Sequence, residues 1–241
     1  CLTDTIIQNT QLSSKVVYIS DCSYTGDVII GKVDTLLDLK GKTVAIEGVN
    51  TFSHIFVLNA LENAGLSEHE INFKVVPAHK LLEALDKGNV DAGHTWEPTK
   101  SAAIEKGYSV LGSAKDNPGI ISDILVFYSK IIKERPEVVL AIVKSLVEAQ
   151  VYRDANWTES IKIMAKAVNI SYIDMESGVL GTSQLDLQGN IKAMKESDDP
   201  LSLYISGRYI VDFYMKRGQL SKVTDLVEII EPKFVNQLSR E

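Results

Sequence analysis

The sequence lacks the short motifs that mark many enzyme active sites. It contains no G-x-S-x-G, no G-x-x-x-x-G-K-[ST], no G-x-G-x-x-G and no H-E-x-x-H. His54 falls in a predicted helix and His94 in a predicted strand, where satisfied structural histidines are more common than catalytic ones. The four histidines show no metal-ligand spacing. The sequence therefore predicts a non-enzyme with no metal and no other cofactor.

Cysteine and long apolar runs are also scarce. Cys1 and Cys22 are the only cysteines, so they make no disulfide framework. The longest apolar runs, residues 124–128 and 138–143, are far shorter than the roughly 20 residues that span a bilayer. No basic n-region of a signal peptide is visible. These features predict a protein that is not integral to the membrane, either cytoplasmic or exported and seen without its leader.

Basic clusters are missing as well. The net charge is −7, and lysines and arginines are scattered singly along the chain, so we expect no nucleic-acid partner. With 241 residues, 45% of them hydrophobic, the chain can form one large domain or two small ones.

Strands and helices alternate over the first half of the chain. Ligands bind at the carboxyl ends of strands in such βαβ folds, and the parallel sheet is covered by helices on both sides. After Tyr128 the pattern turns helical and no further strand is evident, with residues 178–186 the least regular stretch. The predicted strands cover residues 15–20, 28–31, 43–46, 73–76, 92–96, 108–111 and 124–128. The main predicted helices cover residues 52–64, 78–87, 136–147, 158–168, 188–196, 203–216 and 223–230.

Two places at strand ends carry candidate binding chemistry. Asn50, Thr51 and Ser53 lie at the start of the helix that follows the strand at Thr43. Free amides and the positive end of the helix dipole there suit an oxyanion, while the simpler alternative is that Asn50 or Thr51 merely caps the helix. Trp96 follows the next strand end, where its ring either lines a cleft or packs on a neighbouring helix.

Six phrases of the sequence, in order, resemble one family: the solute-binding proteins of ABC importers for nitrate, sulfonates, taurine and thiamine-pyrimidine precursors. Each phrase is weak alone, but together they span nearly the whole chain, with one residue missing from the family's S-x-G-x-D phrase near Gly26. The phrases are S-Y-T-G-D-V-I-I from Ser23, D-L-K-G-K-T-V-A from Asp38, V-N-T-F-S-H from Val49, G-N-V-D-A-G-H-T-W-E-P from Gly88, P-G-I-I-S-D-I-L-V from Pro118 and R-P-E-V-V from Arg135.

The resemblance implies a bilobed α/β fold of the type II periplasmic-binding-protein kind, with a ligand cleft between two α/β lobes. Residues 1–31 would begin lobe I, residues 32–122 would form lobe II, and residues 123–241 would add the return strand and C-terminal helices of lobe I. Family members start with a further strand, helix and strand ahead of the position of Cys1. Without that unit we expect an incomplete lobe I that dimerises through an open sheet edge.

The family's pocket positions transfer to residues that include no Arg or Lys. An anionic ligand would then be held by amides and hydroxyls, and a neutral or zwitterionic solute is equally open. The transferred ligand-binding residues are Thr3, Thr5, Ser23, Tyr24, Asn50, Thr51, Ser53, Trp96 and Asp123.

The resemblance implies an extracytoplasmic protein, periplasmic or anchored at the cell surface, that binds a small solute of the sulfonate, nitrate, taurine-like or pyrimidine-precursor class. Its partner would be an ABC permease in the membrane. The alternative is a ligand-sensing domain of a membrane receptor, whose partner would be a transmembrane module. An enzyme of the pyrimidine-precursor branch would need a reactive histidine and a cysteine-rich or metal-binding segment, which the sequence does not show.

Overall fold

The computed structural model describes residues 1–240 as helices and strands joined by short loops. The helices are α1 (Leu2–Gln8), α2 (Phe52–Asn63), α3 (Leu81–Asp86), α4 (Thr99–Glu105), α5 (Ser129–Glu134), α6 (Pro136–Ala155), α7 (Trp157–Val168), α8 (Tyr172–Leu180), α9 (Leu187–Ala193), α10 (Leu203–Lys216) and α11 (Lys233–Leu238). The strands are β1 (Ser14–Ser23), β2 (Val28–Gly31), β3 (Thr43–Ile46), β4 (Asn72–Val75), β5 (Ala92–Thr95), β6 (Ser109–Ser113), β7 (Ser122–Tyr128) and β8 (Thr182–Gln184).

Most of the predicted elements are confirmed, and the exceptions lie in the second half of the chain. The expectation of no strand after Tyr128 is wrong, because Thr182–Gln184 forms β8. The irregular stretch at residues 178–186 contains the end of α8 and all of β8. The helix predicted over residues 223–230 is reduced to a 3₁₀ turn at Leu226–Glu228.

The chain divides into two compact units. Unit 1 comprises Cys1–Cys22, Gly119–Asn169 and Ser183–Glu241, and unit 2 comprises Ser23–Pro118 and Ile170–Thr182. Unit 2 thus includes α8, a segment that lies outside the residues 32–122 expected for the second lobe. The predicted α/β fold class is confirmed, since both units contain a sheet with helices around it.

Unit 2 is built on a five-stranded sheet in the order β4-β3-β5-β2-β6. β3 runs parallel to β4 and to β5, as the βαβ pattern predicts. β2, in contrast, is antiparallel to both β5 and β6, so the sheet is mixed and the expectation of a parallel sheet is only partly right. All four residues of β2 are buried, because this strand has neighbours on both sides and helices above it.

Unit 1 contains a three-stranded sheet in the order β7-β1-β8. β1 and β7 are antiparallel, with Cys22 opposite Ser122 and Ser14 opposite Tyr128. Residues 16–19 of β1 are all buried, which agrees with a strand that is apolar on both faces. β7 is an edge strand of this sheet, and its residues 124–127 are only partly buried.

No helix within residues 1–240 combines enough residues with enough apolar character to cross a membrane.

Candidate functional site

The first turn of α2 has no side-chain cap. Thr51 occupies the position before the helix, but its hydroxyl donates to the Gly48 carbonyl at 2.8 Å instead of accepting from a first-turn amide. The amides of the first turn have no acceptor within the helix. Thr51 therefore does not cap α2 through its side chain, and the positive end of the helix dipole at this turn stays a predicted binding position for an acceptor-rich ligand.

A histidine side chain of α2 holds the turn that precedes this helix. Asn50 has a φ of 63°, in the left-handed region that asparagine tolerates better than most residues. Its amide donates to Nδ1 of His54 at 3.1 Å. His54 is buried, and its Nε2 lies 3.4 Å from a carboxylate oxygen of Glu68. His54 thus serves the shape of the turn, in line with the structural role expected for it.

Ser53 and His94 belong to a buried chain of hydrogen bonds. Ser53 Oγ accepts from the Glu47 amide at 3.0 Å and lies 2.9 Å from His94 Nδ1. His94 Nε2 lies 2.7 Å from Oδ1 of Asp27. Ser53 and His94 are fully enclosed, with exposed fractions of 0% and 1%. The Ser53 hydroxyl therefore faces this chain, and only its backbone amide belongs to the open first turn.

Trp96 is placed where β5 ends, against the first residue of α2. Its ring centroid lies 6.3 Å from that of Phe52 and 5.4 Å from that of His94. Phe56 contacts the same imidazole, with centroids 5.2 Å apart. The Trp96 side chain remains 38% exposed. Trp96 therefore packs on a neighbouring helix and also presents surface beside the helix start, and its place as the lining of a ligand cleft stays a prediction.

Backbone hydrogen bonds hold the Tyr24 loop, residues 24–27 between β1 and β2. The amides of Tyr24, Thr25 and Gly26 all donate to the carbonyl oxygen of Gly181, at 3.0, 2.8 and 2.7 Å. Lys100 Nζ donates to the Thr25 carbonyl at 2.8 Å. The Tyr24 side chain is 49% exposed. The backbone of this loop is thus anchored, while the aromatic side chain of Tyr24 is exposed and its contact with a ligand stays a prediction.

Ser23 and Asp27 close the same loop from its two ends. Ser23 is buried, and its hydroxyl accepts from the Asp27 amide at 2.9 Å. Asp27 in turn binds His94, as described above. Ser23 therefore shapes the loop through this contact.

Glu97 ties α4 to α8 within unit 2. Its carboxylate accepts from the Ser101 amide at 3.1 Å and from the Ser177 hydroxyl at 3.0 Å, with Lys100 Nζ 3.3 Å away. Burial opposes ionisation, but these hydrogen bonds and the Lys100 charge together hold the pKa of Glu97 below its usual value. The contact with Ser177 joins a segment about 80 positions further along the chain.

The remaining predicted residues lie in unit 1. Thr3 and Thr5 are buried in α1, and Thr5 Oγ1 donates to the Cys1 carbonyl at 3.3 Å. Thr3 Oγ1 is buried and has no hydrogen-bond partner. Asp123 is joined to the start of α1, because Cys1 Sγ lies 3.3 Å from its Oδ1. An unpartnered buried hydroxyl is costly, so a ligand that completed the Thr3 bond would gain from it.

The predicted residues thus form two groups, Thr3, Thr5 and Asp123 in unit 1 and the other six in unit 2. The sequence analysis missed Asp27, Lys100 and Gly181, and it did not connect His94 with Ser53. The signal for Asp27 was present, because the family phrase around Gly26 ends in an aspartate. Gly181 gave no signal, since it contacts the Tyr24 loop from a distant part of the chain. Among residues 1–240, no group of three or more His, Cys, Asp or Glu has the arrangement of a metal site.

The predicted residues of unit 2 thus include a helix start without a side-chain cap and a partly exposed tryptophan on a mixed α/β sheet. Residues 5–169 match the NMT1-like family, and the chain belongs to that family. The resemblance to nitrate-, sulfonate- and taurine-type binding proteins is thereby confirmed. The chain spans 66% of the length of the curated relatives that it matches over 229 residues.

Three individual proteins illustrate the similarity. The taurine-binding periplasmic protein of Escherichia coli (strain K12) is 26% identical over 162 residues, 63% of this chain and 49% of that protein. The periplasmic aliphatic sulphonate binding protein SsuA from Escherichia coli has a TM-score of 0.77 at 21% identity, covering 97% of this chain and 78% of SsuA. The desulfurization enzyme DszB has a TM-score of 0.72 at 14% identity, covering 99% of this chain and 83% of DszB. The fold is therefore shared by binding proteins and by an enzyme.

Proposed function

We propose that the protein is an extracytoplasmic solute-binding protein that captures a small oxyanion-bearing solute, of the sulfonate, taurine-like or nitrate class, for an ABC importer. The observation that carries this proposal is the uncapped start of α2. Thr51 turns its hydroxyl to Gly48, so the helix start carries no side-chain cap, and its first residue, Phe52, lies against Trp96. A helix start of this kind favours a negative group through its amides and its dipole.

The charge distribution of unit 2 supports a weakly charged oxyanion as the ligand. The segments of unit 2 contain no arginine, and all five arginines of the chain lie in unit 1. Lys100, the lysine next to the Tyr24 loop, is occupied by Glu97 and by the Thr25 carbonyl. Recognition in unit 2 would then depend on amides and on aromatic side chains, without the bidentate guanidinium contacts that favour a doubly charged phosphate, which suits a singly charged sulfonate or nitrate.

Thermal denaturation in the presence of candidate solutes tests the proposal. A solute at 100 times its dissociation constant stabilises the folded state by about 2.7 kcal/mol. For a chain of this size that corresponds to a rise of about 5–11 °C in Tm. Taurine, short alkanesulfonates and nitrate are the first solutes to test, with bicarbonate and aminopyrimidines as alternatives. If none of them raises Tm, the proposed solute class is wrong.

An enzymatic function is the second candidate, because Ser53, His94 and Asp27 form a serine-histidine-aspartate array and DszB shares the fold. Two features argue for a structural array. Ser53 Oγ is enclosed and already accepts from the Glu47 amide, so a substrate carbon has no approach to it. We therefore propose binding without turnover. Incubation of each stabilising solute with the protein, followed by mass spectrometry, decides between the two, since any chemical conversion would support an enzyme.

The permease and the location outside the cytoplasm are part of the same proposal. Both are supported by the periplasmic proteins that this chain resembles. A receptor would bind the same solutes, so solute binding does not separate it from an importer component. Solute uptake by cells that carry or lack the gene distinguishes them, because loss of an importer component reduces uptake directly.

A further inference from the structure

The hydrogen bonds around His94 all run in one direction when its ring is neutral. Asp27 presents a carboxylate, which only accepts, so His94 Nε2 carries the hydrogen in the 2.7 Å contact. In the neutral ring Nδ1 is then an acceptor, and the Ser53 hydroxyl donates to it across 2.9 Å. Ser53 Oγ accepts in turn from the Glu47 amide. Every bond along this chain points the same way, from Glu47 to Asp27.

The two ring nitrogens reach different parts of the candidate site. Nδ1 holds Ser53, which lies in the first turn of α2. Nε2 holds Asp27, which ends the loop that carries Tyr24. The edges and faces of the ring contact Trp96 and Phe52, with centroids 5.4 and 5.7 Å away. A single side chain thus connects the helix start, the Tyr24 loop and the tryptophan wall.

We propose that His94 is a positioning residue for the solute site, although it does not touch the solute. Its neutral ring, with the hydrogen on Nε2, holds the first turn of α2 and the Tyr24 loop in fixed positions relative to each other. The effect on solute affinity rests on the proposed function, while the effect on the two segments does not. Because Ser53 is fully buried, loss of its contact with His94 leaves an unsatisfied buried hydroxyl, whereas Asp27, with 15% of its side chain exposed, can still meet water.

Two conservative substitutions separate the contact of His94 with Ser53 from its contact with Asp27. In His94→Asn, the amide oxygen lies near the former Nδ1 and accepts from Ser53, while the reach to Asp27 is lost. In His94→Gln, the terminal NH₂ lies near the former Nε2 and donates to Asp27, while the bond to Ser53 is lost. His94→Phe keeps a ring against Trp96 and loses both bonds. His79→Gln is the matched control, because His79 is exposed.

Amide hydrogen exchange of the solute-free protein is the first measurement. We expect His94→Gln to accelerate exchange of the Glu47 amide, whose acceptor is Ser53 Oγ, and of the Ile55 amide in the first turn of α2. We expect His94→Asn to accelerate exchange of the Tyr24, Thr25 and Gly26 amides instead. His94→Phe should accelerate both sets, and His79→Gln neither. Equal patterns in the Asn and Gln variants, or no change in the Phe variant, would overturn the proposal.

Two further measurements separate this inference from the proposed function. ¹⁵N NMR of histidine-labelled protein should show the His94 ring neutral and protonated at Nε2, whether or not any solute binds.

Affinity for a stabilising sulfonate should fall roughly 5- to 150-fold in His94→Phe, the loss expected for one unsatisfied buried group, and less in the Asn and Gln variants. If exchange changes as expected but no solute binds to the wild type, the positioning role stands and the proposed function fails. A wild-type affinity retained by His94→Phe would overturn the positioning role.

Discussion

The carbonyl oxygen of Gly181 accepts a hydrogen bond from the amide of Gly26 at 2.7 Å. The two glycines are in close backbone contact, since a Cβ on Gly181 would lie 2.9 Å from the Cα of Gly26. This contact attaches the end of α8 to the Tyr24 loop inside unit 2. A side chain at residue 181 would push the two segments apart.

Gly181→Ala should therefore destabilise the protein by about 1–3 kcal/mol, the usual cost of overpacking a tight site. Urea denaturation measures this change. Gly178→Ala is the matched control three residues earlier, because nothing lies within 4 Å of the added Cβ and Gly178 is inside a helix. The control should be neutral or stabilising by up to about 1 kcal/mol. Equal stabilities of the two variants would mean that the Gly26–Gly181 contact is not tight in solution.

Thr51→Asp should raise stability and weaken anion binding at the same time. An aspartate at this position can accept from the free first-turn amides of α2, which stabilises helices by about 0.5–2 kcal/mol. The same carboxylate occupies the amides and repels a negative solute. Chemical denaturation and calorimetry with a sulfonate measure the two effects.

In Thr51→Asn the side chain can accept from the first-turn amides without repelling an anion, because asparagine caps a helix as well as aspartate but is uncharged. This variant therefore separates the effect of capping from the effect of charge. We expect its affinity for the sulfonate to lie between those of the wild type and Thr51→Asp. A Thr51→Asp protein that binds the sulfonate as tightly as the wild type would show that the ligand is not at the start of α2.

Trp96 should report on the solute through its fluorescence. Its ring is partly exposed beside Phe52, so a ligand at the helix start would change its surroundings. We expect a solute to quench or shift the emission of the wild type and of Trp157→Phe, but not that of Trp96→Phe. The same spectral change in Trp96→Phe would place the ligand elsewhere.

Cys22 should make stability fall at alkaline pH. Burial raises the pKa of the Cys22 thiol to about 11, with the hydrogen bond to Ser122 a smaller, opposing influence. An unfolded cysteine titrates near about 8.5. Because the folded pKa is the higher one, the neutral thiol favours folding fully below about pH 8.5, and this contribution is lost as pH rises toward about 11.

Urea denaturation between pH 8 and pH 10.5 measures this effect. The wild type should lose more stability over that range than Cys22→Ala, because the variant has no thiol to ionise. A parallel pH dependence of the two proteins would contradict the prediction. Iodoacetamide labelling of Cys1→Ser at pH 8 provides a separate check, since the remaining buried thiol should react only after unfolding.

Dimer formation through β7 is the last prediction. β7 is an edge strand, and such strands pair readily with a second chain. Light scattering should show mass that rises with concentration, and Tyr128→Lys should reduce it, because charges on an edge oppose pairing and Tyr128 is 55% exposed. Tyr152→Lys alters another exposed tyrosine of unit 1 and should have no effect. A monomer at every concentration would rule out this pairing.

How far the sequence predicts the structure depends on how local the deciding contacts are. The strand at Thr43 and the helix from Phe52 follow from apolar periodicity and helix-start residues within a few positions, and both are confirmed. β8 has only three residues and no apolar run, so it exists because of its neighbour in the sheet and not because of its own pattern.

The candidate site shows the same limit. The residues of the α2 start were identifiable from their type and place in the chain. The partner of Ser53 was not, because His94 lies 41 positions further along the chain. Gly181 is more distant still from the Tyr24 loop, and only the folded backbone brings the two together. Local pattern therefore supports only the prediction of a binding surface at the start of α2, while the contacts that hold this segment in place required the tertiary structure.

The pairing of Cys22 with Ser122 has a consequence for the order of folding. The two residues are register partners between β1 and β7, yet they are 100 positions apart in the chain. Closing so long a loop is entropically unfavourable and slow while the intervening residues are unfolded. Collapse of Ser23–Pro118 shortens the effective distance between its ends. We therefore expect unit 2 to become compact first and the β1–β7 pair of unit 1 to form late, so that substitutions in β7 change the unfolding rate more than the folding rate.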